Sequence, residues 1–261
     1  MPIVPISTKD ANSYCAACYH PHTAWQPIAR NYCRLPQCYS FDLDRLRRQV
    51  AEIEREHGFK PFKVKKDKAK YRKTYRGIGI TYRTGAEDPL YDALRLFGTS
   101  GELDIGNSFE VQSIYKPADE RRFVSLHERD FSEKNSLYSG YLKEILEKFS
   151  SPLTKVRILE LLPRGLISSH VDFPYYEQIR VHATLETNAD VWWEVDGERF
   201  QLPADGHFYW FDTGKCHAVW NDGDTSRVVL SVNLSVFKNR RGEFVRSPAE
   251  DLLELFAHGA V

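Results

Sequence analysis

The chain lacks a net charge: 36 Lys and Arg stand against 36 Asp and Glu in 261 residues. No global field therefore draws it to nucleic acid or to an anionic membrane, although a local patch could still act. It also lacks any run near the roughly 18 apolar residues of a spanning helix. The opening Met1-Pro2-Ile3-Val4-Pro5 has neither the basic nor the apolar region of a secretory signal. Internal repeats and low-complexity segments are missing too. These absences predict a cytoplasmic protein with no membrane partner. What is present argues for a folded chain, since 42% of residues are hydrophobic and the length allows a sizeable core.

Cysteine is scarce, yet four of the five fall close together as Cys15, Cys18, Cys33 and Cys38, with Cys216 alone. In a reducing compartment such a cluster reads as metal ligands rather than disulfides. A tetrahedral zinc on two thiolate pairs is one reading, and reduced cysteines in a loop-rich segment are the other.

Residues 1–41 show no period and read as an irregular, Cys-rich lead-in. A helix is predicted from Leu43 to His57, with Asp42 as N-cap, Leu46, Val50 and Ile53 on its apolar face and Gly58 as its stop. Lys60 to Arg76 holds nine basic residues and one acid, with Tyr71 and Tyr75 among them. This stretch is either a solvated edge or a dock for an acidic carrier or other anionic partner. Pro89 could open a short helix through Leu96, and Ser136–Phe149 reads as a second long helix. Residues 42–155 then form a mixed segment that packs on the core and shapes a substrate pocket. Ser247, Pro248 and Glu250 begin a C-terminal helix within residues 238–261.

Between those helices the character changes. Val156–Leu162, Ile179–Thr187, Val191–Val195, His207–Phe211, His217–Trp220 and Arg227–Phe237 are short, β-branched or aromatic, and separated by turn residues. The expected fold is mainly β with flanking helices: a double-stranded β-helix, or jelly-roll, of cupin-like form over residues 156–237.

His170-Val171-Asp172 sits in this region. Read as strand residues i and i+2, its imidazole and carboxylate share one face. His217 follows several strands later. Two imidazoles and one carboxylate supply the facial triad of non-haem iron(II), with positions left open for other ligands. Arg227 heads an apolar strand, where a guanidinium needs an anion and its fork suits a carboxylate. Arg180 and His182 share one strand face and add donors toward the same interior. The set describes a site for Fe(II), O2 and a dicarboxylate co-substrate such as 2-oxoglutarate. His207, His127, Trp192, Trp193, Trp210, Trp220 and Cys216 are read as packing, pocket-wall or surface residues.

The stretch from Arg157 to Val236 resembles the aspartyl/asparaginyl β-hydroxylase family, and within it the proline cis-hydroxylase-like branch. The motifs are Leu162-Pro163-Arg164-Gly165-x4-His170-x-Asp172, Arg180-x-His182-x2-Leu185-x-Thr187-Asn188, Trp192-x-Glu194-Val195-Asp196-Gly197-Glu198-Arg199 and His217-x-Val219-x-Asn221-x-Gly223-x3-Arg227. The resemblance implies an Fe(II)/2-oxoglutarate-dependent dioxygenase that hydroxylates an amino acid or a derivative of one. Its alternatives are a peptidyl or carrier-tethered substrate, or a metal-binding jelly-roll module without catalysis. By position, His170, Asp172 and His217 resemble the iron ligands and Arg227 the anchor of the far 2-oxoglutarate carboxylate. Arg180 and His182 resemble further co-substrate contacts. The animal members lack the carboxylate ligand that Asp172 supplies here, and Leu159 stands where they hold the co-substrate with a serine.

Overall fold

The computed structural model describes residues 31–62, 74–94, 128–170, 172 and 178–235. Strand β1 (Tyr32–Arg34) precedes a 3-10 turn (Gln37–Tyr39) and helix α1 (Leu43–His57). Strands β2 (Lys60–Pro61), β3 (Tyr75–Gly79) and β4 (Thr81–Tyr82) follow, with 3-10 turns at Asp92–Leu94 and Glu128–Asp130. Then come β5 (Glu133–Lys134) and helix α2 (Gly140–Leu146). The remaining strands are β6 (Leu153–Leu161), β7 (Gly165–His170), β8 (Gln178–Glu186), β9 (Val191–Val195), β10 (Glu198–Phe200), β11 (Phe208–Phe211), β12 (His217–Asn221) and β13 (Arg227–Ser235).

Two antiparallel sheets build the core. The larger runs β1-β11-β8-β13-β6-β3-β2 and the smaller β10-β9-β12-β7, with β4 and β5 as a separate pair. This is the expected jelly-roll. It recruits β1, β2 and β3 from before residue 156, so the core extends beyond the 156–237 boundary read from the sequence.

The period of two gives the larger sheet two chemically different faces. Ile158, Val181, Ala183, Trp210, Leu230 and Val232 point outward into the main hydrophobic cluster. Leu46, Val50 and Ile53 of α1 and Leu142, Ile145 and Leu146 of α2 cover them. Arg157, His182 and Ser231 lie directly across from one another on the opposite face. That inner face looks toward the smaller sheet, where Leu161, Trp193, Val195, Phe211 and Val219 form a second, smaller cluster.

Helix α1 follows its sequence signals. The Asp42 carboxylate accepts the Arg45 N–H at 2.9 Å, and Gly58 ends the helix at φ 70°. The predicted helix Ser136–Phe149 is reduced to Gly140–Leu146. Gly140 at φ 55° and Ser139 at φ −149° stop it from extending backward. Gln49 of α1 replaces the missing turn, accepting the Leu142 N–H at 2.8 Å and donating to the Ser139 carbonyl at 2.9 Å. The helix expected after Pro89 is only the 3-10 turn Asp92–Leu94 within the described residues, with Asp92 clasped by Arg83 at 2.6 and 2.8 Å.

Much of the basic stretch (63–73), Cys15, Cys18, His127 and the C-terminal helix lie outside the described residues. The parts of the basic stretch that are described are engaged within the fold. Lys60 lies 3.6 Å over the Tyr91 ring, Arg76 pairs with Glu160 and Glu54, and Tyr75 is half-buried in β3. Cys33 is half-buried against the main cluster and Cys38 is exposed. No helix among the described residues is long and apolar enough to cross a membrane.

Strand β3 lies so close to β6 that a Cβ on Gly77 would sit 2.3 Å from the Ile158 carbonyl oxygen. Gly77→Ala is expected to force the strands apart and cost about 1–3 kcal/mol. Chemical denaturation checks this, and an unchanged midpoint would contradict the tight approach.

Candidate active site

His170 ends β7 and His217 begins β12, and the two residues are cross-strand partners with ring centroids 4.2 Å apart. Asp172 lies beyond β7 rather than within it, which corrects the strand reading of the His-x-Asp pair. Its position comes from a backbone bond instead, its N–H donating to the Thr213 carbonyl at 2.8 Å. Asp172 Oδ2 then lies 3.9 Å from His170 Nε2 and 3.8 Å from His217 Nε2. Among the described residues this is the one group of three such donors, all within 4.8 Å of one another.

The protonation pattern suits a cation. His170 Nδ1 meets the Ser168 carbonyl at 2.7 Å and His217 Nδ1 meets the Lys215 carbonyl at 2.9 Å. A carbonyl only accepts, so in a neutral ring each Nδ1 carries the hydrogen and each Nε2 keeps a lone pair. Burial, helped by the neighbouring His170, lowers the His217 pKa to about 3 against the pull of Asp172. Burial works against ionisation of Asp172. The Arg180 guanidinium overrides it and brings that carboxyl down to about 2. Two bare imidazole nitrogens and one carboxylate form a donor set for a divalent iron.

Arg227 is 1% exposed, and its Nε and Nη1 have no hydrogen-bond partner among the described residues. Its guanidinium lies 4.4 Å over the Trp193 ring, and burial brings its pKa down to about 10. A buried cation with two unpartnered nitrogens over an aromatic face is costly unless an anion arrives. Arg157 is buried as well, and its Nε is also without a partner. His182 Nδ1, Thr184 Oγ1 and Ser231 Oγ are further buried polar atoms left unsatisfied. Buried polar atoms are ordinarily paired, so a cluster of orphans on one sheet face fits a polar, anionic ligand. Burial, then the charges of Arg227, Arg180 and Arg157, holds His182 neutral.

Residues 116–235 match the family model described as aspartyl/asparaginyl beta-hydroxylase. Over that stretch the chain is similar to the hydroxylases of this family. The donor set and the orphan guanidinium fit what such a hydroxylase uses, namely Fe(II), 2-oxoglutarate and O2. The chain is also similar in shape to several solved structures. One is an oxidoreductase of the 2OG-Fe(II) oxygenase family from Burkholderia pseudomallei, at 16% identity over 78% of this chain and 85% of that one, TM-score 0.42. Another is a Pseudomonas putida prolyl-4-hydroxylase, at 11% identity over 79% and 93%, TM-score 0.39. A third is a Trichoplax adhaerens prolyl hydroxylase bound to a hypoxia-inducible-factor peptide, at 13% identity over 79% and 84%, TM-score 0.39. No curated protein matches the chain.

All six residues singled out in the sequence for this hydroxylase site belong to the intersheet region, but they do not share one role. Arg180 donates through Nη1 to Asp172, through Nη2 to Glu128 at 2.5 Å and through Nε to Asn233 at 2.9 Å. It is engaged with carboxylates of the chain, whereas Arg227 is not. Sequence reading passed over Arg157, Glu128, Tyr75 and Asn233. Arg157 carried a usable signal, because it interrupts the apolar run Val156–Ile158 as Arg227 heads its own. Glu128 carried none. Tyr75, read in the sequence as part of a basic face, has its phenol pKa raised by burial against the pull of Arg157 and Arg227. His207 meets Gln37 Oε1 at 3.0 Å, as suits a packing residue, and Trp192 is exposed on the outer side of β9.

The loop that supplies the Thr213 carbonyl also holds Asp212, a buried carboxylate whose Oδ2 has no hydrogen bond among the described residues and whose nearest cation, Lys215, is 3.9 Å away. Burial pushes its pKa from 3.8 to about 6. Between those values the unfolded chain has released the proton and the folded one has not. The Asp212 contribution therefore makes stability fall as pH rises from about 4 to about 6, by on the order of 3 kcal/mol. Asp212→Asn should flatten that part of the curve in denaturant titrations at pH 4, 5, 6 and 7. An identical slope in both proteins would contradict the burial of this carboxylate.

Proposed function

We propose that the chain hydroxylates an unactivated C–H bond of a free amino acid or a close derivative. The observation that carries this reading is the buried Arg227, whose Nε and Nη1 have no partner among the described residues, on one inner sheet face with the buried Arg157, whose Nε has none either. His170, Asp172 and His217 would hold Fe(II), and Arg227 would receive the far carboxylate of 2-oxoglutarate. Bound iron supplies the oxidising power, with one O2 and one 2-oxoglutarate consumed per hydroxyl delivered and succinate and CO2 released. Arg157 is then a second anion receptor, which a free amino acid can satisfy with its own carboxylate. A residue within a peptide, or one tethered through its carboxyl to a carrier, lacks that α-carboxylate, and only an acidic side chain could stand in for it. The inner walls of Trp193, Phe211 and His182 exclude water from the same space.

The test is anaerobic loading with Fe(II) and 2-oxoglutarate, then O2 and an amino-acid screen read by succinate formation and by a product heavier by one oxygen. A hydroxylated free amino acid is the expected result. Succinate formation stimulated only by peptides would move the reading to a peptidyl substrate. Arg227→Met should raise the 2-oxoglutarate KM by about 30-fold, the equivalent of roughly 2 kcal/mol for a lost charged hydrogen bond. Arg157→Met should raise the amino-acid KM by a similar factor and leave the 2-oxoglutarate KM within about twofold. If the Arg157 variant instead raises the 2-oxoglutarate KM, the argument for a free carboxylate on the substrate fails.

A further inference from the structure

We propose that Glu128 is a positioning residue for the metal site, acting through Arg180 on Asp172; this rests on the reading of Asp172 as a metal ligand. Glu128 comes from the 3-10 turn Glu128–Asp130, outside both main sheets, and is 3% exposed. One carboxylate oxygen takes Lys155 Nζ. The other takes Arg180 Nη2 at 2.5 Å and Asn233 Nδ2 at 2.8 Å. Asn233 closes the ring by accepting Arg180 Nε at 2.9 Å. Three different groups thus hold the three nitrogens of Arg180, and only Nη1 reaches Asp172.

That division matters because a guanidinium facing a single carboxylate favours the two-pronged mode, in which both oxygens are taken. Full capture of Asp172 by Arg180 would leave a cation to compete for a ligand already committed. Glu128 and Asn233 occupy Nη2 and Nε, so Arg180 grips Asp172 at Oδ2 alone. Oδ2 is also the oxygen that faces both imidazole Nε2 atoms, so this single contact sets the direction of the carboxylate toward His170 and His217. The Lys155 contact has a separate effect. It balances Glu128, whose pKa lies well below the ordinary carboxylate range despite burial because Arg180 and Lys155 face it. A buried ion network of this kind is weak evidence for stability on its own, whereas outer partners that orient a metal ligand commonly change metal affinity 10–100-fold.

The test measures Mn(II) affinity by electron paramagnetic resonance, without 2-oxoglutarate or O2, in the wild type, Glu128→Gln, Asp172→Ala and the double variant. Glu128→Gln should weaken Mn(II) binding at least about tenfold. In the Asp172→Ala background the same change should have no further effect, because Glu128 then has no ligand to position. Ile145→Val, a core truncation far from this network, controls for lost stability and should leave Mn(II) affinity within about twofold. An equal loss in both backgrounds, or none in the wild type, would overturn the positioning role. If Asp172→Ala itself leaves Mn(II) binding intact, the ligand assignment falls and the proposal with it.

Discussion

Among the described residues, a cluster of buried cations on the inner face of the larger sheet organises the candidate site. Arg157, Arg180, Arg227 and Lys155 are sealed in the fold, and the buried anions that face them are Glu128 and Asp172. Arg180 and Lys155 hydrogen-bond to those carboxylates, whereas Arg227 Nε and Nη1 and Arg157 Nε have no hydrogen-bond partner among the described residues. A protein keeps unmatched cations in its interior only at considerable cost in desolvation. The cost becomes intelligible if a dianionic co-substrate and a carboxylate-bearing substrate complete the balance on binding.

The two-faced sheet makes this arrangement affordable. On the outer face, β8, β13 and β6 bury Ile158, Val181 and Leu230 beneath α1 and α2, which supplies the hydrophobic stabilisation. The inner face of the same strands is thereby released to carry Arg157, His182 and Ser231. The smaller sheet adds the two imidazoles, because β7 and β12 pair with His170 opposite His217. Stability and chemistry are divided between the faces of single strands.

The fold was largely legible because strand alternation and helix caps are local signals. Asp42, the Leu46-Val50-Ile53 stripe and Gly58 fixed α1 without any tertiary information. The candidate metal donors could be picked out for a different reason, since His-x-Asp and the distant His217 fall within motifs that resemble one family. The shortened α2 was not legible. Its apolar period continues through Leu137, but Gly140 in a left-handed conformation breaks the helix, and Gln49 from α1 takes over the capping.

The sequence by itself determined the jelly-roll and singled out the candidate donors and Arg227 as a candidate anion receptor, because each depends on spacing along one strand or on the chemistry of one side chain. Only the tertiary structure decided which cations remain unmatched. Arg180 and Arg227 look equivalent in sequence, each an arginine on a β-rich strand. Glu128 reaches across 52 residues of chain to Arg180, and no described carboxylate hydrogen-bonds to Arg227. Pairing between buried charges is set by which distant segments pack together, and no local pattern records that.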